Sequence, residues 1–193
     1  MGDVVDGKDW AVRDGAAPSL RMIRVAFFRN LNLGQARSHS PTSQQLLDAL
    51  VAAGARSPSH VGANGTVVYY WTGGPVMARQ AVRLLTPVCG YDDLVVVRSG
   101  SWLARFGRRL EGLDEGEVVQ YDAAPGLDYP TPIECDDGLV VTHLDHRAAI
   151  TTHRPGSRPV SAGPFVASLV GVPTTVRGIG TIRRVLDRVR DYA

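Results

Sequence analysis

Apolar and polar positions fall into regular patterns only from Ile23 onward. Upstream, Met1–Arg21 is rich in Asp, Gly and Ala and follows neither a period of 2 nor one of 3.6, so it reads as an N-terminal extension outside the fold. The run IRVAFFR is β-branched and aromatic and breaks at Asn30–Gly34, which predicts a first strand with a polar turn at its tip. A helix follows: Ser40 stands as its N-cap, Pro41 opens it, Leu46, Leu47, Leu50 and Val51 share one face, and Gly54 lies past its end. Ser59–Val61 and Thr66–Trp71 flank Asn64-Gly65, a pair suited to a type I′ turn, and predict a hairpin. Gly73, Gly74 and Pro75 introduce a second helix carrying Val76, Ala81, Val82, Leu84 and Leu85, with Pro87 expected to end it early, and DLVVVRS supplies another strand. The order is β-α-β-β-α-β, a ferredoxin-like half in which two helices cover one face of an antiparallel sheet.

Ser99 can cap a third helix with Trp102, Leu103, Phe106 and Leu110 at helical spacing. EVVQYDA reads as a strand, Asp137-Gly138 as the tip of a second hairpin, and HRAAITTHR as a further strand. A short helix over 165–170 and a longer one from about Thr181 to Tyr192 close the chain. The expectation is an α+β protein: an extension over 1–21, a ferredoxin-like subdomain over 22–98, and a smaller α+β subdomain over 99–193 packed on it, a degraded echo of the first without a residue-level repeat.

Composition then narrows the function classes. The apolar runs, such as Leu94–Val97, are strand-length and far short of the roughly 20 residues that cross a bilayer, so no membrane partner is expected. Twenty-one Lys and Arg against 19 Asp and Glu leave a net charge of +2. A phosphate-tracking surface usually needs a clearer basic excess, which weighs against nucleic acid. Cys89 and Cys135 have no metal-type spacing and no secretory signal ahead of them, and they point to a reduced, cytoplasmic setting. Phosphate loop, dinucleotide fingerprint, nucleophile elbow and zinc motif are all missing from the sequence, so neither cofactor nor metal is expected.

The segments FFRNLNLGQ, SPTSQQLLDALVAAGARSPSHVGANGTVVY, VVVRSGSWLARF and GVPTTVRGIGTIRRVLD fall in the order and spacing of the domain of unknown function 1697 (DUF1697) family. The chain resembles that family from about Met22 to the C-terminus, most weakly between Tyr121 and Pro164. The resemblance implies α+β subdomains of ferredoxin-like character and no settled activity. Carried over by position, Arg29, Asn32, Gly34, Thr175 and Arg177 keep the family's motifs, while Asn30, Gln35, Gly62, Ala63, Asn64, Gly65, Gly178 and Ile179 depart from them. A ligand site built from these segments would be degenerate or re-purposed.

Three groups of residues carry candidate chemistry. Arg29, Asn30 and Asn32 sit where a strand tip can aim a guanidinium and amides at an anion or polar ligand; the alternative is that they satisfy the turn itself. Asn64 in the hairpin bend and Arg177 ahead of the last helix are the distant turns expected to converge with them, and Thr181 is a candidate cap of that helix. Tyr69 and Trp71 share one strand face, opposite to Tyr70, and would stack a planar molecule on an uncovered sheet face or else pack in the core. His143 and Asp145 share a strand face that excludes His146, so they suit general acid/base work better than metal chelation. The reading is a small-molecule-binding protein, with metal-independent acid/base catalysis through His143 and Asp145 as its enzymatic form. A nucleic-acid-binding role, or a non-catalytic interaction or homodimerisation module, is the alternative.

Overall fold

The computed structural model describes residues 19–33, 35, 39–71, 77–122, 124, 129–158 and 160–193. Its first half runs β1 (Ile23–Phe28), α1 (Ser43–Ala52), β2 (Arg56–His60), β3 (Thr66–Tyr70), α2 (Met77–Cys89) and β4 (Val95–Ser99). The strands form one sheet in the order β2-β3-β1-β4, every neighbour antiparallel. Alternation sends Ala26, Phe28, Val67 and Tyr69 to one face, where Leu46 and Leu50 of α1 and Ala81 and Leu85 of α2 cover them.

The second half runs α3 (Gly100–Gly107) with a 3-10 turn at Arg108–Leu110, then β5 (Glu117–Tyr121), β6 (Ile133–Glu134), β7 (Leu139–Leu144) and β8 (Ala148–His153). It closes with α4 (Ala162–Val170), β9 (Thr174–Gly178) and α5 (Ile179–Tyr192). Its sheet, β6-β7-β8-β5-β9, is antiparallel throughout. Ala162 and Val166 of α4 pack on its outer face against Val119, Tyr121 and Val141.

The inner faces of both sheets share a central layer. Val25 and Phe27 from the first sheet and Val118 and Ile150 from the second meet Leu103 and Phe106 of α3 and Ile182 and Val185 of α5 there. The two helices approach closely: a Cβ on Gly107 would lie 2.7 Å from Leu186 Cδ1. The molecule is therefore an α+β protein with both faces of the first sheet covered.

Four strands of the second sheet, β7-β8-β5-β9, repeat the order of the first, and β6 is added at the edge. Central β1 and β5 are each flanked by a hairpin strand and by the strand that closes the half. Val25 stands opposite Arg98 and Val68, and Val118 stands opposite Arg177 and Ile150. Even the bulge recurs, with the shift between Arg56 and Ser59 in β2 matched by one between Val141 and His143 in β7. No counterpart of α1 is seen among the described residues between β5 and β7, where β6 stands instead.

Arg98 and Arg177 are each the fourth residue of a strand that runs directly into a helix, and both are buried. Because each shares a face with a central-layer valine, its guanidinium enters that layer and reaches the opposite sheet. Arg177 donates through Nη2 to the carbonyls of Phe28 (2.7 Å) and Gly65 (3.4 Å). Arg98 Nη2 donates to the carbonyls of Tyr121 and Arg147, the latter at 2.7 Å. These acceptors are themselves equivalent, since Phe28 N donates to Gly65 O and Tyr121 N donates to Arg147 O. Two reciprocal arginine ties thus lock sheet to sheet.

Several local expectations need correction. The cap of α1 is Thr42, not Ser40: Gln45 N donates to Thr42 Oγ1 and Thr42 N donates back to Gln45 Oε1, a capping box. The hairpin between β2 and β3 is real, but Val61 N donates to Thr66 O around a longer loop, with positive φ at Gly62 and Gly65 and not at Asn64. Helix α2 continues through Pro87 to Cys89. Arg83 and Pro87 are both exposed, so the carbonyl that proline cannot bond faces water. Thr181 does not cap α5, which begins at Ile179 directly after β9, a strand that the sequence pattern misses. Leu20, within the stretch read as an extension, packs against the central core. The glycines and proline expected to introduce α2 lie outside the described residues.

Gly65 O and Arg147 O keep the N–H of Phe28 and Tyr121, so removing a tie strips the guanidinium donor from Phe28 O or Tyr121 O, a loss of roughly 1–3 kcal/mol for a buried acceptor. Arg177→Ala is expected to destabilise the fold by about 3 kcal/mol or more, and Arg98→Ala by less, because Arg177 makes more bonds. Urea midpoints at neutral pH check both the size and the order.

Candidate functional site

β1 gives way at Phe28 to a tip held by the segment that leads into β4. Arg29 N donates to Leu94 O and Arg29 O accepts from the Tyr91 hydroxyl, at 2.8 and 2.7 Å. Asn30 takes φ +50°, a left-handed position that asparagine tolerates better than most residues, and its Nδ2 donates to Asp93 Oδ2 at 3.0 Å. The Arg29 guanidinium is held only loosely, 3.8 Å from Asp93, with its side chain 41% exposed.

Beside this tip the Arg177 guanidinium is fully engaged. Nε donates to Thr66 Oγ1 (2.8 Å) and Nη1 to Thr175 Oγ1 (3.0 Å) and Val176 O (2.7 Å), in addition to the two carbonyls that Nη2 reaches. Thr66 Oγ1 in turn donates to Asn64 Oδ1 at 3.0 Å, which fixes the hairpin bend. Burial lowers the Arg177 pKa to about 10, opposed by the neighbouring Tyr91, so the group is cationic at neutral pH.

The three distant turns therefore meet, and two of them, at Arg29 and at Arg177, border a cleft. Arg29 and Asn30 form one wall, Thr174, Thr175 and Arg177 of β9 another, and Gly163 and Pro164 at the start of α4 the third, around about 420 Å³. Asn32 contributes differently: its backbone N–H donates to Ser40 Oγ, and neighbouring Leu33 N donates to Ala63 O, tying the tip to the hairpin. Asn64 serves Thr66 and is not among the cleft's lining residues.

Tyr69 and Trp71 stand elsewhere. Both pack in the outer core beneath α1 and α2, Tyr69 is 2% exposed, and Arg24 lies 4.9 Å over the Trp71 ring. The uncovered face expected for them does not exist, because the half has a helical layer on one side and the central layer on the other.

His143 and Asp145 do pair, at 3.3 Å, but the carboxylate has a structural task. Asp145 Oδ1 accepts the N–H groups of Arg147 (2.8 Å) and Ala148 (2.9 Å) and so closes the turn between β7 and β8. Burial pushes the Asp145 pKa up, yet the hydrogen bonds from His143 and the two amides prevail and hold it down at about 2. Neither residue is among those that line the cleft beside Arg29. His146 is exposed and His153 bonds the Val160 backbone, and no group of three metal-type ligands occurs among the described residues.

Arg98, Gln120 and Thr66 escape the sequence reading as buried polar anchors. The available signal was the recurrence of an inward-facing arginine, VVVR before one helix and TTVR before another.

No protein-family model matches the chain, and no curated protein does. Among solved structures it is similar to the conserved bacterial protein SP0830 from Streptococcus pneumoniae, with a TM-score of 0.57 and 14% identity over 88% of this chain and 98% of that one. The likeness is one of fold alone.

The folded pKa of Asp145 lies below its unfolded value, so its stabilisation is complete above pH 3.8 and lost as pH falls toward 2. Wild type is expected to lose about 2 kcal/mol more than Asp145→Asn between pH 5 and pH 2. Urea unfolding across that range checks it, and parallel acid slopes would refute the assignment.

Proposed function

We propose that the protein binds a small, anion-bearing molecule in the cleft between the tip after β1 and the edge formed by α4 and β9. The observation that carries this reading is the position of Arg29, a half-exposed guanidinium on the cleft wall whose ion-pair contact among the described residues is a loose 3.8 Å. A planar fork of donors in that state suits a carboxylate or phosphate, with the Asn30 amide beside it. Arg177 supports the site from beneath without spare donors to offer a ligand. Binding is favoured over catalysis, because the acid/base pair His143 and Asp145 does not line this cleft.

The same proposal takes the chain as a divergent member of the DUF1697 family whose first half is ferredoxin-like. The segments that carry the resemblance supply Arg29, Thr175 and Arg177 to one place, and the strand order β2-β3-β1-β4 with two crossing helices supports the fold reading.

Arg29→Ala removes an exposed side chain and is expected to change stability by no more than about 0.5 kcal/mol. In a thermal-shift panel of phosphate, sulfate, and di- and tricarboxylates, at least one anion is expected to raise the wild-type Tm and to lose that effect in the variant. Equal shifts in both proteins would sink the proposal, as would a panel that stabilises neither.

A further inference from the structure

The two ties differ at one pair of positions. In the tie made by Arg177, Phe27 and Thr66 face each other across β1 and β3; the guanidinium carbon lies 5.9 Å from the Phe27 ring centroid, and Nε donates to Thr66 Oγ1. Across β5 and β8 the equivalent pair is Gln120 and Ala148. The bonds that Arg98 makes to Tyr121 O and Arg147 O, the residues adjoining Gln120 and Ala148, bring its guanidinium to that pair. The hydroxyl that receives Nε in one tie is thus a methyl in the other, and an amide stands where the ring was.

The consequence is visible in the hydrogen bonding. Arg98 Nε, Gln120 Oε1 and Gln120 Nε2 are buried polar atoms with no partner among the described residues. Arg98 is 5% exposed and Gln120 is 0% exposed. A charged N–H without an acceptor is among the costlier things to bury, and an unpaired amide in the same layer adds to the cost. Glutamine and alanine also fill less space than phenylalanine and threonine.

We propose that a single internal water molecule occupies this place, accepting the Arg98 Nε–H and donating to Gln120 Oε1. Water fits better than a metabolite: both residues lie within the central layer, and the Trp102 ring, 5.2 Å from the Arg98 guanidinium carbon, packs against the group. A site of this kind needs room for about 30 Å³ and two or more polar partners. The second tie is then a hydrated version of the first, with the water standing in for the Thr66 hydroxyl.

A crystal structure of the full chain at about 1.3 Å resolution, where ordered water is plainly seen, tests the claim directly. The expected result is one water within hydrogen-bond distance of both atoms; a direct Nε to Oε1 bond or a dry contact overturns it. Stability gives an independent reading. If the amide anchors a bridging water, Gln120→Leu lowers Tm by about 3 °C, and adding Ala148→Ser, which places an oxygen at the position equivalent to Thr66 Oγ1, recovers most of the loss. If Gln120 is merely an unpaired amide in an apolar layer, Gln120→Leu raises Tm instead, and the proposal fails.

Discussion

A buried guanidinium must find acceptors, and in this protein each half finds them in the other. Arg98 leaves the first sheet to bond carbonyls at the end of β5 and before β8; Arg177 leaves the second to bond carbonyls at the end of β1 and before β3. Apolar packing in the central layer is indifferent to a small slide of one sheet over the other, since burial is non-directional. The ties are directional. A buried charge with fixed acceptors is weak evidence of net stability, but it penalises every misplacement that would leave the cation unpaired. The two ties therefore give direction to the placement of the halves, together with the Tyr70 hydroxyl on Tyr192 O and the Tyr192 hydroxyl on Ser57 O.

The repeat also shows how the cleft arises from broken symmetry. The residue after Phe28 is Arg29, and the residue after its equivalent, Tyr121, is Asp122. Asp122 is met by Arg79 of α2 at 3.4 Å, so at that tip the charge has a partner from the covering helix. Both are largely exposed, and the pair contributes little to stability. Facing Arg29, the helix in the corresponding place is α4, whose first residues are Ala162, Gly163 and Pro164, with no acid among them. Duplication of the framework with loss of the complementary charge leaves a cation at the edge of a hollow.

Much of the framework could be read from periodicity. Strand β1, both hairpins and the helical stripe of Trp102, Leu103 and Phe106 stand where alternation and helical spacing put them. The features that escaped are those in which a polar residue occupies an inward position. In VVVRS the arginine breaks no strand pattern, yet nothing local says whether it faces water or a carbonyl contributed by a residue far along the chain. β9 was hidden for a related reason: TTVRG is short and lies between Pro173 and a helix, so Arg177 read as part of a turn ahead of that helix and not as a strand residue. Convergence of Arg29, the Asn64 bend and Arg177 was legible, but the division of labour among them was not. Only the five bonds made by Arg177 show that it holds the turns together instead of offering itself to a ligand.

That division does not make Arg177 irrelevant to what the cleft admits. With a pKa lowered to about 10 the guanidinium remains cationic at neutral pH, and it lies among the cleft's lining residues at a depth where water screens it poorly. Its field extends into the hollow even though its donors are all committed. Asp93, 3.8 Å from Arg29, opposes that field, but its oxygens are already engaged by Asn30 Nδ2 and the Leu94 N–H. An anion beside Arg29 would thus meet one cation it can bond and one it can only sense. The side chain that helps tie the sheets thus also positions the walls and adds to the positive potential between them, so the architecture and the chemistry of the cleft share a residue.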